Sequence, residues 1–196
     1  MLPHYDALRH NEKYLMKNGY VHTFHTKDGR LLKVRPLQAE DAHHLVDLFN
    51  HMGPTSRYLR FNLALTNPDP ELVWSEARRL AQIDPEKDGA WLAFCELPDE
   101  PDTPVAGVRY MRVDAQVAEA SLAVRDDMQN QGIGTELLKF LVERAYQAGI
   151  ERLTATAQRG NRPLWHLLDK VPLQMEFESE GGYTTMTAHL VEPETA

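Results

Sequence analysis

The 196-residue chain has a single cysteine, Cys95, so no intrachain disulfide can form. Cys95 lies in the apolar run AWLAFCEL, the setting of a core thiol rather than a nucleophile. No apolar run approaches the ~18 residues that a membrane-crossing helix needs. The opening MLPHYDALRHNEKYL lacks the apolar segment of a secretory signal, so a cytoplasmic protein without membrane association is expected. The nine histidines show no zinc-ligand spacing, His43 and His44 being adjacent, and no metal is expected. Basic residues number 21 against 29 acidic ones, a net charge of −8. That balance speaks against a broad nucleic-acid-binding face, and no nucleic-acid partner is expected. It is compatible with a cationic partner, such as lysine, a polyamine or a basic protein segment, but simple solubility accounts for it more readily. No repeat or low-complexity segment is present, and the length fits one domain with a real core.

What the sequence does have is one informative stretch, residues 118–148. From 118 to 125 the residues alternate. Ala120, Leu122 and Val124 fall on one face, and Glu119, Ser121, Ala123 and Arg125 on the other, which is the period of a strand. From Ile133 the apolar spacing becomes helical through Leu137, Leu138, Leu141, Val142 and Ala145, and Gly149 supplies a stop. Between strand and helix lies Gln129-Asn130-Gln131-Gly132-Ile133-Gly134. Glycines at a helix start allow a sharp bend and close approach of a ligand. The first N–H groups of a helix lack intrahelical partners and sit at its positive end, where a phosphate fits. A tight turn with no ligand has the same appearance. Two other glycine loops are excluded: no Gly-Lys-Ser/Thr follows, and the third glycine of the dinucleotide fingerprint is missing.

The rest of the chain reads as a mixed α/β protein. Residues 4–17 have weak helical periodicity, and residues 20–25 and 31–37 flank an Asp28-Gly29 hairpin signal. Helices are expected at 39–52 and 70–82, with loop or broken helix over 53–70. Strands follow at 90–97, 104–114 and 118–125, with an acidic turn at 98–103. A helix at 133–148, a strand at 152–157, a short helix at 161–170 and a hairpin around Gly181-Gly182 complete the order. The last five residues are expected to fray.

Gln-x-x-Gly-x-Gly after a strand resembles the acetyl-coenzyme A signature of the GNAT acetyltransferases. Roughly residues 30–190 resemble, more narrowly, the GNAT domain of Pat-type bacterial protein lysine acetyltransferases. The matching pieces are Lys33-Val34-Arg35-Pro36-Leu37 with Glu40-Asp41, Ser56-Arg57-Tyr58-Leu59-Arg60-Phe61, Arg79-Leu80-Ala81-Gln82-Ile83-Asp84, Ala118-Glu119-Ala120, Val124 to Gln129, Asn161-Arg162-Pro163-Leu164 with Asp169-Lys170, and Thr184-Thr185-Met186. The resemblance implies the GNAT fold: a mixed, mostly antiparallel sheet flanked by helices, with an acetyl-CoA cleft between splayed strands. The expected domain is 26–191, with an N-terminal extension at 1–25 and a tail at 192–196. Pat-type enzymes usually carry a second, regulatory domain. A chain of 196 residues leaves no room for one, so that regulation is not expected.

The implied function is acetyl-CoA-dependent acetylation of a primary amine, with a protein lysine side chain as the leading acceptor; a homodimer is compatible. The alternatives are a small amine as acceptor, or a degenerate acyl-CoA-binding sensor. Glu119 matches the family's general-base position; on spacing alone it reads first as a solvent-facing strand carboxylate in an ion pair, and the resemblance tips the reading to catalysis. Amides around Leu122, Ala123 and Val124 would pair with the pantetheine and donate to an oxyanion. Amides of Gln131, Gly132, Ile133, Gly134 and Thr135 would hold the pyrophosphate, supported by the Gln129 side chain. Asn161 would bond near the pantetheine, cap the 161–170 helix, or do both. Many GNATs place a tyrosine acid seven residues after that asparagine, but Leu168 stands there, with Trp165 nearby. The family's Gly-Phe after that helix reads Pro172-Leu173. Tyr183 and His166 are substitute acids to weigh against surface roles. Arg57 and Arg60 would shape the acceptor side, bind phosphate, or pair with neighbouring carboxylates.

Overall fold

The computed structural model describes residues 19–98 and 100–190. Strands β1 (His22–His25) and β2 (Leu31–Pro36) form the first hairpin. A 3-10 turn (Ala39–Asp41) leads into α1 (Ala42–Asn50), followed by α2 (Pro54–Phe61) and α3 (Pro70–Ala81). Then come β3 (Gly89–Leu97), β4 (Glu100–Arg112) and β5 (Val117–Val124). Helix α4 (Ile133–Gln147), β6 (Arg152–Gln158), α5 (Arg162–Leu168), β7 (Gln174–Glu180) and β8 (Tyr183–His189) complete the order. The strands make one eight-stranded sheet in the order β1-β2-β3-β4-β5-β6-β8-β7. Every neighbouring pair is antiparallel except β5 and β6.

Apolar alternation builds the core on both faces of the sheet. On one face Leu137, Phe140, Leu141 and Ala145 of α4 join Val108, Ala118 and Leu153 in the main cluster, and Ala120, Leu122 and Val124 pack against it. On the other face Leu48 of α1 packs with Leu37, Leu92 and Phe94, and Ala123 joins them. Both α4 ends follow the expected chemistry: Gly132 precedes it with φ +86°, and Gly149 follows it with φ +77°. Left-handed backbone of that kind favours glycine at each point.

The structure departs from the expected elements in two places. Residues 54–61, expected as loop or broken helix, form the regular helix α2. The residues that read as loop are its caps: Pro54 opens the first turn, and Asn62, at φ 55°, donates its N–H to Tyr58 O at 2.9 Å. The acidic segment 98–103 is mostly strand, because β4 starts at Glu100 and pairs with Leu97. Register shifts between Ala93 and Phe94 and between Cys95 and Leu97 accommodate Pro101 and Pro104, which cannot donate to a ladder. The hairpin expected across Asp28-Gly29 is present, His22–His25 forming β1 and pairing with β2. The expected helix at 4–17 and the expected tail lie outside the described residues.

Candidate active site

The site begins where β5 and β6 part. Their parallel pairing covers only Val117↔Arg152, Ala118↔Leu153 and Glu119↔Thr154. Beyond that point β5 stays with β4 as far as Val124↔Ala106, while β6 stays with β8 as far as Gln158↔Tyr183. A cavity of ≈ 980 Å³ opens between them. The ladder shows which groups face it. Arg125 N–H donates to Val105 O at 3.0 Å, and Val117 O accepts from Val113 N–H at 2.8 Å, so odd-numbered residues of β5 bond to β4. The amides of Ala120, Leu122 and Val124 therefore face the gap, and that of Ala123 faces β4. Of the three strand residues expected to pair with a ligand backbone, Leu122 and Val124 present their N–H groups. Ala123 lines the cavity without offering its own.

The glycine turn closes the far end. A 3-10 turn at Asp126–Met128 is anchored by buried Arg125, whose guanidinium meets Asp127 at 2.8 Å. Asn130 (φ 63°) and Gly132 (φ 86°) reverse the chain into α4. No side chain caps this N-terminus, so the first amides of a 15-residue helix are left for a ligand or solvent at its positive end. Gly134 lines the cavity, and a Cβ there would sit 3.6 Å from Leu167 and 3.8 Å from Leu122, on the cavity wall. Gln129 has a bracing role: its Nε2 donates to Val124 O (3.2 Å), Ser56 Oγ (3.3 Å) and Asp126 Oδ1 (3.1 Å). It thereby ties the end of β5 to α2 and to the turn. This set of free helix amides and free strand edge suits an elongated ligand with a phosphate at one end and amides along its length.

Glu119 stands at the apex, on the last paired position of β5, exposed and lining the cavity. Among the described residues its carboxylate has no side-chain hydrogen bond and no ion-pair partner within 4 Å, while its backbone stays in the ladder with β4. Asn161 is buried, lines the cavity and caps α5, its Oδ1 accepting from Leu164 N–H at 3.2 Å. Leu168, Trp165 and His166 also line the cavity, whereas Tyr183 stands outside it on β8. No tyrosine among the described residues reaches the cavity. Cys95 is 3% exposed and burial pushes its thiol up, as expected of a core cysteine. Among the described residues no group of three or more His, Cys, Asp or Glu is placed to hold a metal.

The two arginines of α2 separate. Arg57 lies 4.1 Å over the Phe49 ring and donates to Phe49 O and Leu65 O, bracing the helix. Arg60 points to the cavity and donates to Ser121 Oγ at 2.8 Å. Sequence reasoning missed two neighbours of the site. Lys27, in the first hairpin, donates its N–H to Gln131 O at 3.0 Å and lies against Gly132. Arg109 lies beside Ser121 across the β4–β5 ladder. The alternation of β4 gives a signal for the face of Arg109, but its partner across the ladder depends on register.

A sheet parted beside a helix N-terminus is the arrangement that the resemblance to the GNAT acetyltransferases implies, and comparison with known proteins agrees with that resemblance. The family model described as "Acetyltransferase (GNAT) family" matches residues 59–171, more than half of the chain; the protein belongs to that family and is an acetyl-CoA-dependent acyltransferase. Acetyltransferase PA5475 of Pseudomonas aeruginosa is 24% identical over 139 residues, 70% of this chain and 72% of that one. The GNAT domain of S. lividans PAT superposes with a TM-score of 0.73 at 22% identity, covering 85% of this chain and 94% of that one. YncA of Salmonella typhimurium, solved with its cofactor acetyl-CoA, has a TM-score of 0.56 at 17% identity, covering 84% of this chain and 96% of that one. At these identities the two structures speak for the fold. Among the described residues no helix is long and apolar enough to cross a membrane.

Proposed function

We propose that this enzyme acetylates a lysine side chain of a protein, using Glu119 as general base. The carrying observation is that β5–β6 pairing stops at Glu119, which puts an unpaired carboxylate where the free strand edge begins. In this reading the amides of Gln131 to Thr135 hold the coenzyme pyrophosphate, and Leu122 and Val124 bond the pantetheine amides. Gln129 keeps the strand end in place and Asn161 shapes the wall. The acyl carbon then lies near Glu119.

A lysine ammonium has a pKa near ~10.4, so most of it must lose a proton before attack at neutral pH. Glu119 takes that proton directly or through a water. The neutral amine attacks the thioester carbonyl, and the strand N–H groups that face the gap stabilise the oxyanion. The C–N bond forms, the C–S bond breaks, and the thiolate leaves. A thiol pKa near ~8.5 makes the thiolate a tolerable leaving group, so solvent can return the proton without a tyrosine.

The test is thiol release from acetyl-CoA across a panel of peptides, proteins and small amines, with mass spectrometry of the products. Acetyl-lysine in a protein or peptide is the expected product. Turnover confined to small amines would refute the protein-lysine acceptor, and coenzyme binding without turnover on any acceptor would refute the enzyme reading.

A further inference from the structure

The acceptor end of the cavity carries more positive charge than the chain's net −8 suggests. Arg60, in the last turn of α2, spends one donor on Ser121 Oγ at 2.8 Å. Ser121 is the cross-strand partner of Arg109, and Glu119 lies two residues along the same face of β5. Arg60, Ser121 and Glu119 all line the cavity; Arg109, across the ladder from Ser121, does not. Among the described residues neither arginine has a carboxylate oxygen within 4 Å, and Arg109 Nε is buried with no hydrogen-bond partner. Burial pushes the Arg60 guanidinium down to about 10; Arg109 lowers it further and Glu119 opposes. Arg109 is likewise pushed down by burial, with Asp88 and Glu119 attracting it and Arg79 repelling it. Arg79 is paired with Glu76 at 2.8 Å, and Asp88 accepts Arg112 N–H at 2.9 Å.

We propose that Arg60, reinforced by Arg109, is a carboxylate-recognition site, so that the preferred acceptor carries an anionic group beside its amine. The proposal rests on the amine-transfer reading above and narrows its substrate class. Two partly buried guanidiniums with no carboxylate oxygen within 4 Å are costly, and a bound anion offsets that cost. A guanidinium offers five donors in a fork that matches a carboxylate, and Ser121 occupies only one donor of Arg60. An acceptor with only an ammonium meets like charge there. One with a carboxylate nearby places its anion on Arg60 and its amine towards Glu119. The carboxylate comes either from the acceptor's own α-carbon or from an acidic residue flanking a lysine in a protein segment.

The experiment compares two matched pairs in steady-state acetyl transfer. One pair is lysine against cadaverine, which lacks the carboxylate. The other is a blocked pentapeptide with Asp beside Lys against its Asn counterpart. The expected result is a preference of about tenfold or more in kcat/KM for the anionic member of at least one pair, expressed mainly in KM, as a charge-assisted hydrogen bond predicts. Preference within the lysine pair assigns the α-carboxylate, and preference within the peptide pair assigns a flanking acid. Arg60→Gln should abolish the preference without changing KM for acetyl-CoA, and Arg109→Gln should narrow it; melting curves check that both variants fold. Equal rates within both wild-type pairs, or a preference that survives Arg60→Gln, would overturn the site. If no amine is turned over, the transfer reading fails and the anion site is read by thermal protection. Glutarate should then raise the melting temperature more than glutaramide in the wild type but not in Arg60→Gln; no difference would overturn the proposal.

Discussion

Gly134 offers the sharpest test of the phosphate assignment, because stability and affinity should move in opposite directions there. It is the second residue of α4 and its φ is not positive, so a side chain meets no backbone strain. A Cβ meets only Leu167 and Leu122, at 3.6 and 3.8 Å, which is ordinary contact distance. Replacing glycine with alanine in a compatible conformation stabilises by roughly 0.5 kcal/mol through the unfolded chain. For a protein of this size that is a rise of about 1–2 °C in melting temperature. A glutamate at the same point is also compatible with folding, since an acidic residue in a first helical turn suits the dipole. For a bound phosphate the effect is the reverse. Losing one charge-assisted hydrogen bond costs ~1.5–3 kcal/mol. Like charges ~6 Å apart at an effective dielectric of ~20 add about 3 kcal/mol. Gly134→Glu should therefore weaken acetyl-CoA binding by about 10³-fold or more while the melting temperature holds. Calorimetry with acetyl-CoA and a melting curve suffice. A dissociation constant close to that of the wild type in Gly134→Glu would remove the phosphate from this turn, and a lower melting temperature in Gly134→Ala would refute the packing.

Other expectations concern the base, the turn and an ion pair. Glu119→Gln should leave coenzyme binding nearly unchanged and lower turnover by roughly 10²–10⁴-fold, with partial recovery at high pH as the acceptor amine becomes neutral by itself; full activity at pH 7 would exclude Glu119 from the mechanism. Gly132→Ala should destabilise by about 1–2 kcal/mol, because φ +86° strains an L side chain even though only Lys27 lies within 4 Å of the added carbon; an unchanged denaturation midpoint would contradict that conformation. Asp41 is buried and paired with Arg35 at 2.6 Å. Burial raises its carboxyl, but the Arg35 guanidinium and the Gln38 amide outweigh this and hold it below its ordinary value. A depressed carboxylate contributes stability that is full above its unfolded pKa of ~3.9 and is lost as pH falls through the lower folded value. Asp41→Asn should cost about 3 kcal/mol at pH 7, the low end for a buried pair. The deficit should shrink on acidification below about pH 4; a deficit independent of pH would refute the ion-pair account.

Much of this protein is determined locally and is legible in the residues alone. The switch from a two-residue to a helical apolar period between Val124 and Ile133 places β5, the turn and α4. Gly132 and Gly149 mark the points of left-handed backbone at the two ends of the helix. The run around Cys95 predicts a buried thiol, which the structure bears out. Such features depend on neighbours a few residues apart, and backbone geometry carries them directly.

Tertiary structure decided the rest, because it turns on contacts between residues distant in the chain. Alternation indicates that Leu122, Ala123 and Val124 lie in a strand, but only the ladder with Val105 and Val113 shows that Ala123 turns its N–H away from the gap. Pro54 and Asn62 read as loop residues until they are seen capping the two ends of α2. Glu119 stands at the apex because β6, recruited by β8, leaves β5 after three paired positions. Arg60 and Arg109 are 49 positions apart, and their meeting at Ser121 depends on the docking of α2 and the register of β4 against β5. No local pattern encodes that meeting: side-chain period sets the face of each residue, and only long-range packing sets which faces meet.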